Sequence, residues 1–367
     1  MSQAMRSSLP ARMRQNMAKP ITHNSKQWEY APSWVDQFTT WVGRLPGPSW
    51  SYYLGLWLVL LLMQTIVSWV EGAFPVGLIN PVQAFMSGVI AFFLALFYYL
   101  DERAGAALAI LRPALTANEE KYQNLLFRLT TLPRLSAILA SLVMLSIALL
   151  AELINEPYYP EALVSFPISA NQFRILFLIG WCLFGAFMYH TIHQLRLINH
   201  IYTRYTRVNL FRMKPLYAFS YLSALTAGSL TIIIYGFLIV NPNMDTRDPA
   251  ILIWVFVFLI TALVTFVWPQ LGMHRLQDAE QEHCLDEAYL RLQATISELH
   301  QHLDDGELER MEDLNFAISS LEIEINALKG IRTWPWEPET LQILITALAF
   351  PLGLWVIQFI VERFMVP

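Results

Sequence analysis

The apolar positions of this chain gather into seven stretches of about 20 residues, each bounded by polar segments. A helix rises 1.5 Å per residue, so about 20 residues cross the ~30 Å of hydrocarbon in a bilayer. The stretches lie near 52–70, 81–100, 134–153, 173–192, 216–240, 250–268 and 340–360. None alternates apolar and polar residues as a barrel strand does. Lipid also offers no partner to an open backbone group, so each stretch is expected to be helical. The pattern predicts an all-α fold, a polytopic membrane helix bundle of about seven spans.

The polar segments carry their own periodicities. In 114–132, Thr116 and Glu119 have the spacing of a capping box, Tyr122, Leu125, Leu126 and Leu129 form one apolar face, and Pro133 ends the helix. In 193–212, Ile198, Ile201, Tyr205 and Val208 share a stripe with arginines outside it. A basic amphipathic helix of this kind suits an anionic lipid surface; the other reading is an extension of the fourth span packed on its neighbours. In 273–330, Leu285, Tyr289, Leu292, Ile296, Leu299 and Leu303 repeat at alternating spacings of four and three. Asp304-Asp305-Gly306 is a turn signal, after which Met311, Leu314, Ile318, Leu321, Ile325 and Leu328 repeat in the same way. Two heptad seams around a short break predict an antiparallel coiled-coil hairpin, with Leu292, Ile296, Leu299, Ile318 and Leu321 at its centre. The chain thus divides into a tail and interfacial segment at 1–50, a membrane domain at 51–268, the hairpin at 269–338 and a seventh span at 339–367.

Charge orients these parts. Segments 1–50, 101–133, 193–215 and 269–338 carry six, four, five and five Lys or Arg residues, whereas 71–80 and 154–172 carry none and 241–249 has only Arg247. By the positive-inside rule the N-terminus and the hairpin are cytoplasmic and the C-terminus lies outside. Charged residues make up 14% of the chain against about a quarter in soluble domains, which again assigns much of it to lipid. No Lys/Arg-rich run suits a phosphate backbone, so nucleic acid is not an expected partner. Cys182 and Cys284 have no pairing pattern and are expected to be free thiols. With no early apolar stretch in 1–50, the first span is expected to serve as the insertion signal.

Candidate chemistry is sparse. There is no phosphate-binding glycine loop, no HExxH and no GxSxG, so no enzyme activity and no cofactor is expected. His190 and His193, at i and i+3, could place two imidazoles on zinc or a haem iron, but no Asp, Glu or Cys lies close in sequence to complete a site. Alternatively both simply meet water at the membrane boundary. Glu71, Glu152 and Arg174 fall at outer span ends and Asp101 and Glu102 at an inner end; a carboxylate at mid-depth, the usual mark of a coupled transporter, is missing. Ser220, Ala224 and Gly228 recur every four residues with Thr231 on the same side, a stripe that either packs closely or lines a pore. Glu71, Glu152 and Glu156 make the outer face acidic, which would concentrate cations at a pore mouth.

Three phrases carry a resemblance: Arg112-Pro113-Ala114-Leu115 leading to Leu129-Thr130-Thr131-Leu132-Pro133; Val208-Asn209-Leu210-Phe211 with Pro215-Leu216-Tyr217-Ala218-Phe219-Ser220; and Trp334-Pro335-Trp336-Glu337-Pro338. Over most of 100–365 the chain resembles an uncharacterised group of bacterial multi-pass membrane proteins, which implies a bacterial inner membrane and no particular activity. The expectation that uses most of these features is an oligomeric cation channel or pore with a hairpin for assembly or gating. The alternative is a signalling or scaffold subunit whose hairpin docks a cytoplasmic protein. The expected partners are the lipid bilayer, further copies of the chain and that protein.

Overall fold

The structure is a computed structural model describing residues 30–154, 163–211, 213–241, 249–306, 310–334, 336, 341–342 and 345–346. By contacts the chain divides into two units, one ending at Ala31 and one beginning at Pro32. The helices of the second unit are α1 (Trp34–Gly43), α2 (Ser49–Glu71), α3 (Pro81–Leu111), α4 (Glu119–Thr130), α5 (Arg134–Ile154), α6 (Pro167–Tyr205), α7 (Ala218–Val240), α8 (Pro249–Asp304) and α9 (Met311–Lys329). No strand occurs among the described residues, only two isolated bridges, Pro32 with Pro133 and Leu115 with Thr206. The fold is all-helical, and six helices (α2, α3, α5, α6, α7 and α8) are long and apolar enough to cross a membrane. The seventh stretch, at 340–360, falls almost entirely outside the described residues.

Local chemistry accounts for the helix ends. α1 opens with a capping box: the Ser33 hydroxyl accepts from Asp36 N at 3.2 Å, and the Asp36 carboxylate accepts from Ser33 N at 2.9 Å. Gly72, at φ 80°, supplies the left-handed residue that ends α2. Asn80 caps α3 ahead of Pro81, whose missing N–H costs nothing at a first helical position. α4 starts later than its expected capping box. The cap is Asn118, whose side chain accepts from Lys121 N at 2.9 Å. Thr116 is engaged elsewhere: its N–H and its hydroxyl both donate to Tyr205 O, at 2.8 and 3.2 Å.

The helix expected at 193–212 is the last third of α6, which runs unbroken for 39 residues and ends at Tyr205. The side of it that carries Ile198, Ile201 and Tyr202 is fully buried against protein. α3 occupies the centre. It packs against α1, α2, α4, α6 and α7, and Phe93, Phe97, Leu100, Leu108 and Leu111 are among its buried residues. Phe187 of α6 sits between Phe93 and Phe97, with ring centroids 5.3 and 5.7 Å away. Between helices in lipid, packing of this sort replaces the hydrophobic transfer that drives a soluble core. Three close crossings rest on glycine, one of them Gly272 of α8, where a Cβ would strike Asn199 Oδ1 of α6. A Cβ at Gly185 would strike Ala140 O of α5, and one at Gly236 would meet the Phe85 ring at 2.5 Å. α2 and α5 keep apolar residues such as Val59, Leu62, Leu139 and Leu153 exposed on their outer sides.

Candidate functional sites in the bundle and the arm

One end of the bundle, the arm end, holds the α3–α4 connection, the end of α6 and the exit of α8. At the opposite, far end lie the acidic candidates. Glu71 is half-exposed but engaged within the chain. Its two carboxylate oxygens accept from Ile168 N at 2.9 Å and Ser169 N at 2.7 Å, capping the start of α6, where the helix dipole also favours an anion. Glu152 takes Nε and Nη2 of Arg174 at 3.0 and 2.7 Å on the same oxygen. Glu156 lies outside the described residues.

The α7 stripe is turned into the protein at both of its ends. Ser220 and Thr231 are buried, and each hydroxyl donates to its own helix, to Tyr217 O at 2.7 Å and Ala227 O at 2.9 Å. Ser223, Thr226 and Ser229 do the same. Ala224 packs on the main core, whereas a Cβ at Gly228 would meet nothing within 4 Å. The closest glycine approaches are at Gly185, Gly236 and Gly272, outside the stripe.

His190 and His193 have separate partners. His193 Nε2 lies 3.0 Å from Arg128 O, and its ring stacks on Tyr189. His190 Nε2 lies 2.9 Å from Asp101 Oδ1. Among the described residues, no group of three or more His, Cys, Asp or Glu is placed to hold a metal ion.

Around Asp101 a polar cluster joins three elements at the arm end. Gln194, one turn after His190, donates from Nε2 to Asp101 Oδ1 and to Leu129 O, both at 3.2 Å. His190 is buried edge-on to Phe97, and its Nδ1 has no hydrogen-bond partner. From α1 comes Asp36, also buried, whose Oδ2 accepts from Ser33 N, Ser33 Oγ and Leu132 N at 2.9, 2.8 and 2.9 Å. Burial, and then the charge of Asp101, push the Asp36 carboxyl up to about 6, against the pull of those hydrogen bonds. A second polar set lies between α2 and α3. Gln64 donates to Ser87 Oγ at 2.5 Å, and Gln83 donates to Ser68 Oγ at 2.9 Å, all four buried. Neither cluster is legible in the sequence as a group. The Ser33-x-x-Asp36 and His190-x-x-x-Gln194 spacings are local signals of the first, and Asp101 lies 89 and 93 residues from His190 and Gln194.

Beyond the bundle, α8 continues as the same helix and α9 runs back along it. Gln281 Nε2 donates to Leu328 O at 2.5 Å and Ile331 O at 3.1 Å, and the His274 ring stacks on Trp334 at 4.0 Å. Ala288, Ile325 and Leu328 are buried in this contact, with Leu210 of the α6–α7 loop against it, and Leu314 is buried farther along α9. Leu292, Ile296, Leu299, Ile318 and Leu321 are half-buried. Tyr289 and Leu303 are 42% and 47% exposed; the Tyr289 ring lies 5.5 Å beneath Lys329 Nζ of α9, and Ala288 is the residue buried at this level. Phe316 and Ile323, two turns apart on the opposite side of α9, are 65% and 70% exposed. No protein-family model, no curated protein and no solved structure matches the chain.

Proposed function

We propose that this chain is a non-enzymatic bacterial inner-membrane protein, a signalling or scaffold subunit whose arm is a cytoplasmic antiparallel coiled-coil hairpin that docks a protein partner. The observation that carries the reading is the continuity of α8. One 56-residue helix, about 84 Å long at 1.5 Å per residue and containing Pro269, joins the bundle to the arm, so a partner on the arm is linked to the bundle by continuous helical backbone. The charge of the arm supports a protein partner over lipid. Between 273 and 330 there are fourteen Asp or Glu against four Lys or Arg, which disfavours an anionic membrane surface. Phe316 and Ile323 give such a partner an apolar anchor.

The oligomeric cation channel is the weaker reading. The stripe hydroxyls of α7 spend their donors on their own helix, and Glu71 and Glu152 are engaged within the chain. A photo-crosslinking residue placed at Phe316 or Ile323 in cells should give a discrete protein adduct, and one at lipid-facing Leu139 should not. Purified protein in liposomes should pass no cations under voltage. Cation flux without an arm adduct would reverse the order of the two readings.

A further inference from the structure

We propose that the surface where α4 meets the last three turns of α6 is a binding site for the phosphate of an anionic phospholipid. The two helices run antiparallel there. His193 Nε2 of α6 lies 3.0 Å from Arg128 O near the end of α4. Lys121 Nζ, near the start of α4, lies 5.4 Å from the centre of the Tyr205 ring at the end of α6. The main chain closes the same end, where Thr116 N donates to Tyr205 O and Arg207 N donates to Ala114 O, both at 2.8 Å. Between these ties α6 carries Arg196, His200 and Arg204, all exposed, one turn apart and within an arc of about 80°. Lys121 is exposed across from them. Tyr205 stands between Lys121 and His200, with the His200 ring edge-on at 5.5 Å. The opposite side of this segment is the one buried on the bundle through Ile198, Ile201 and Tyr202, so the basic side is what remains open.

Among the described residues Lys121, Arg196 and Arg204 form no ion pair. Glu119, the carboxylate that opens α4, is held by Arg112 and by Gln123 Nε2. Like charges gathered without a carboxylate repel one another, and a phosphate placed among them relieves the repulsion and accepts charge-assisted hydrogen bonds. Depth selects a lipid over a soluble anion. Ile192, one turn before Arg196, is exposed, and so are Leu135 and Leu139 at the start of α5, which packs along α6. Side chains open to acyl chains therefore lie next to the cations, and a phosphate held at Arg196 brings its own chains against them. Lys and Arg gather at the cytoplasmic ends of spans in general. This set differs because two helices far apart in sequence bring it to one place. The site lies on α4 and α6, so it stands or falls independently of what the arm docks.

Native mass spectrometry of the detergent-solubilised full chain tests this, titrated with dioleoyl phosphatidylglycerol and, as the neutral reference, dioleoyl phosphatidylcholine. A cation at a lipid surface contributes about five-fold in affinity. The Arg196→Gln, Arg204→Gln double variant should therefore bind phosphatidylglycerol about twenty- to thirty-fold more weakly, with phosphatidylcholine unchanged. Lys121→Gln, on the other helix, should cost about five-fold and keeps the test decisive if the double variant folds poorly. Arg275→Gln with Arg332→Gln removes two exposed charges from the base of the arm and should leave phosphatidylglycerol binding within about two-fold. Inorganic phosphate at the same concentration as the lipid should not displace it. Equal binding of the two lipids by the wild-type chain, or unaltered phosphatidylglycerol binding in both α4 and α6 variants, would overturn the site. An equal loss in the Arg275, Arg332 variant would reduce it to a diffuse response to net charge, and displacement by inorganic phosphate would overturn the lipid in favour of a soluble anion.

Discussion

Two glycines show how differently the same residue type is used in this bundle. Gly185 of α6 faces Ala140 O of α5 so closely that a single methyl group has no room, and Met144 Cγ would lie 2.9 Å from it. Gly228 of α7 faces open space. Gly185→Ala should therefore destabilise the folded protein by about 1–3 kcal/mol through overpacking. Gly228→Ala should be neutral, or stabilising by up to about 1 kcal/mol through helix propensity. Unfolding of the reconstituted protein in a denaturing detergent series measures both. Equal costs would mean that the α5–α6 crossing relaxes freely. Sequence pattern points to Gly228 because it belongs to a four-residue repeat, whereas Gly185 stands in no repeat of small residues. Residue spacing reports which positions share a helix face; it carries no information on which neighbour that face meets. For the same reason Asp101 and His190 are each legible as ionisable groups near a boundary, yet their pairing is not.

Helices are far more legible than their partners. Each of the six described spans coincides with an apolar stretch read from sequence, because about 20 apolar residues leave no other arrangement that satisfies the backbone in lipid. Ends are less legible. Asn118 rather than Thr116 caps α4, since Thr116 is drawn into pairing with the chain after α6. In the arm, Leu292 and Leu299 are half-buried, and Ala288 rather than the neighbouring Tyr289 is fully buried. A small residue there lets Leu210, Ile325 and Leu328 close over α8. The base of the arm should accordingly be its most sensitive part. Ile325→Asp would bury a carboxylate without a partner and should release α9 from α8, whereas Ile323→Asp, on the exposed side, should be tolerated. Limited proteolysis near 306–310 compares them. Equal resistance of both variants would contradict the packing of α9.

At the scale of the whole molecule, the consistent charge alternation of the polar segments predicts its orientation. A reporter fused after Gly330 should be active in the cytoplasm, and one fused after Glu161 should be active outside. The reverse pattern would place the arm on the exported side and remove the proposed cytoplasmic partner. The bundle itself has a time order that its topology makes visible. The carboxylate that completes the first turn of α6 belongs to Glu71, at the end of the first span, almost a hundred residues earlier. A ribosome delivers Glu71 long before Ile168 and Ser169 exist to use it. α2 is thus a template on which α6 finishes, and a chain whose α2 is inserted the wrong way round would lose the start of α6 as well.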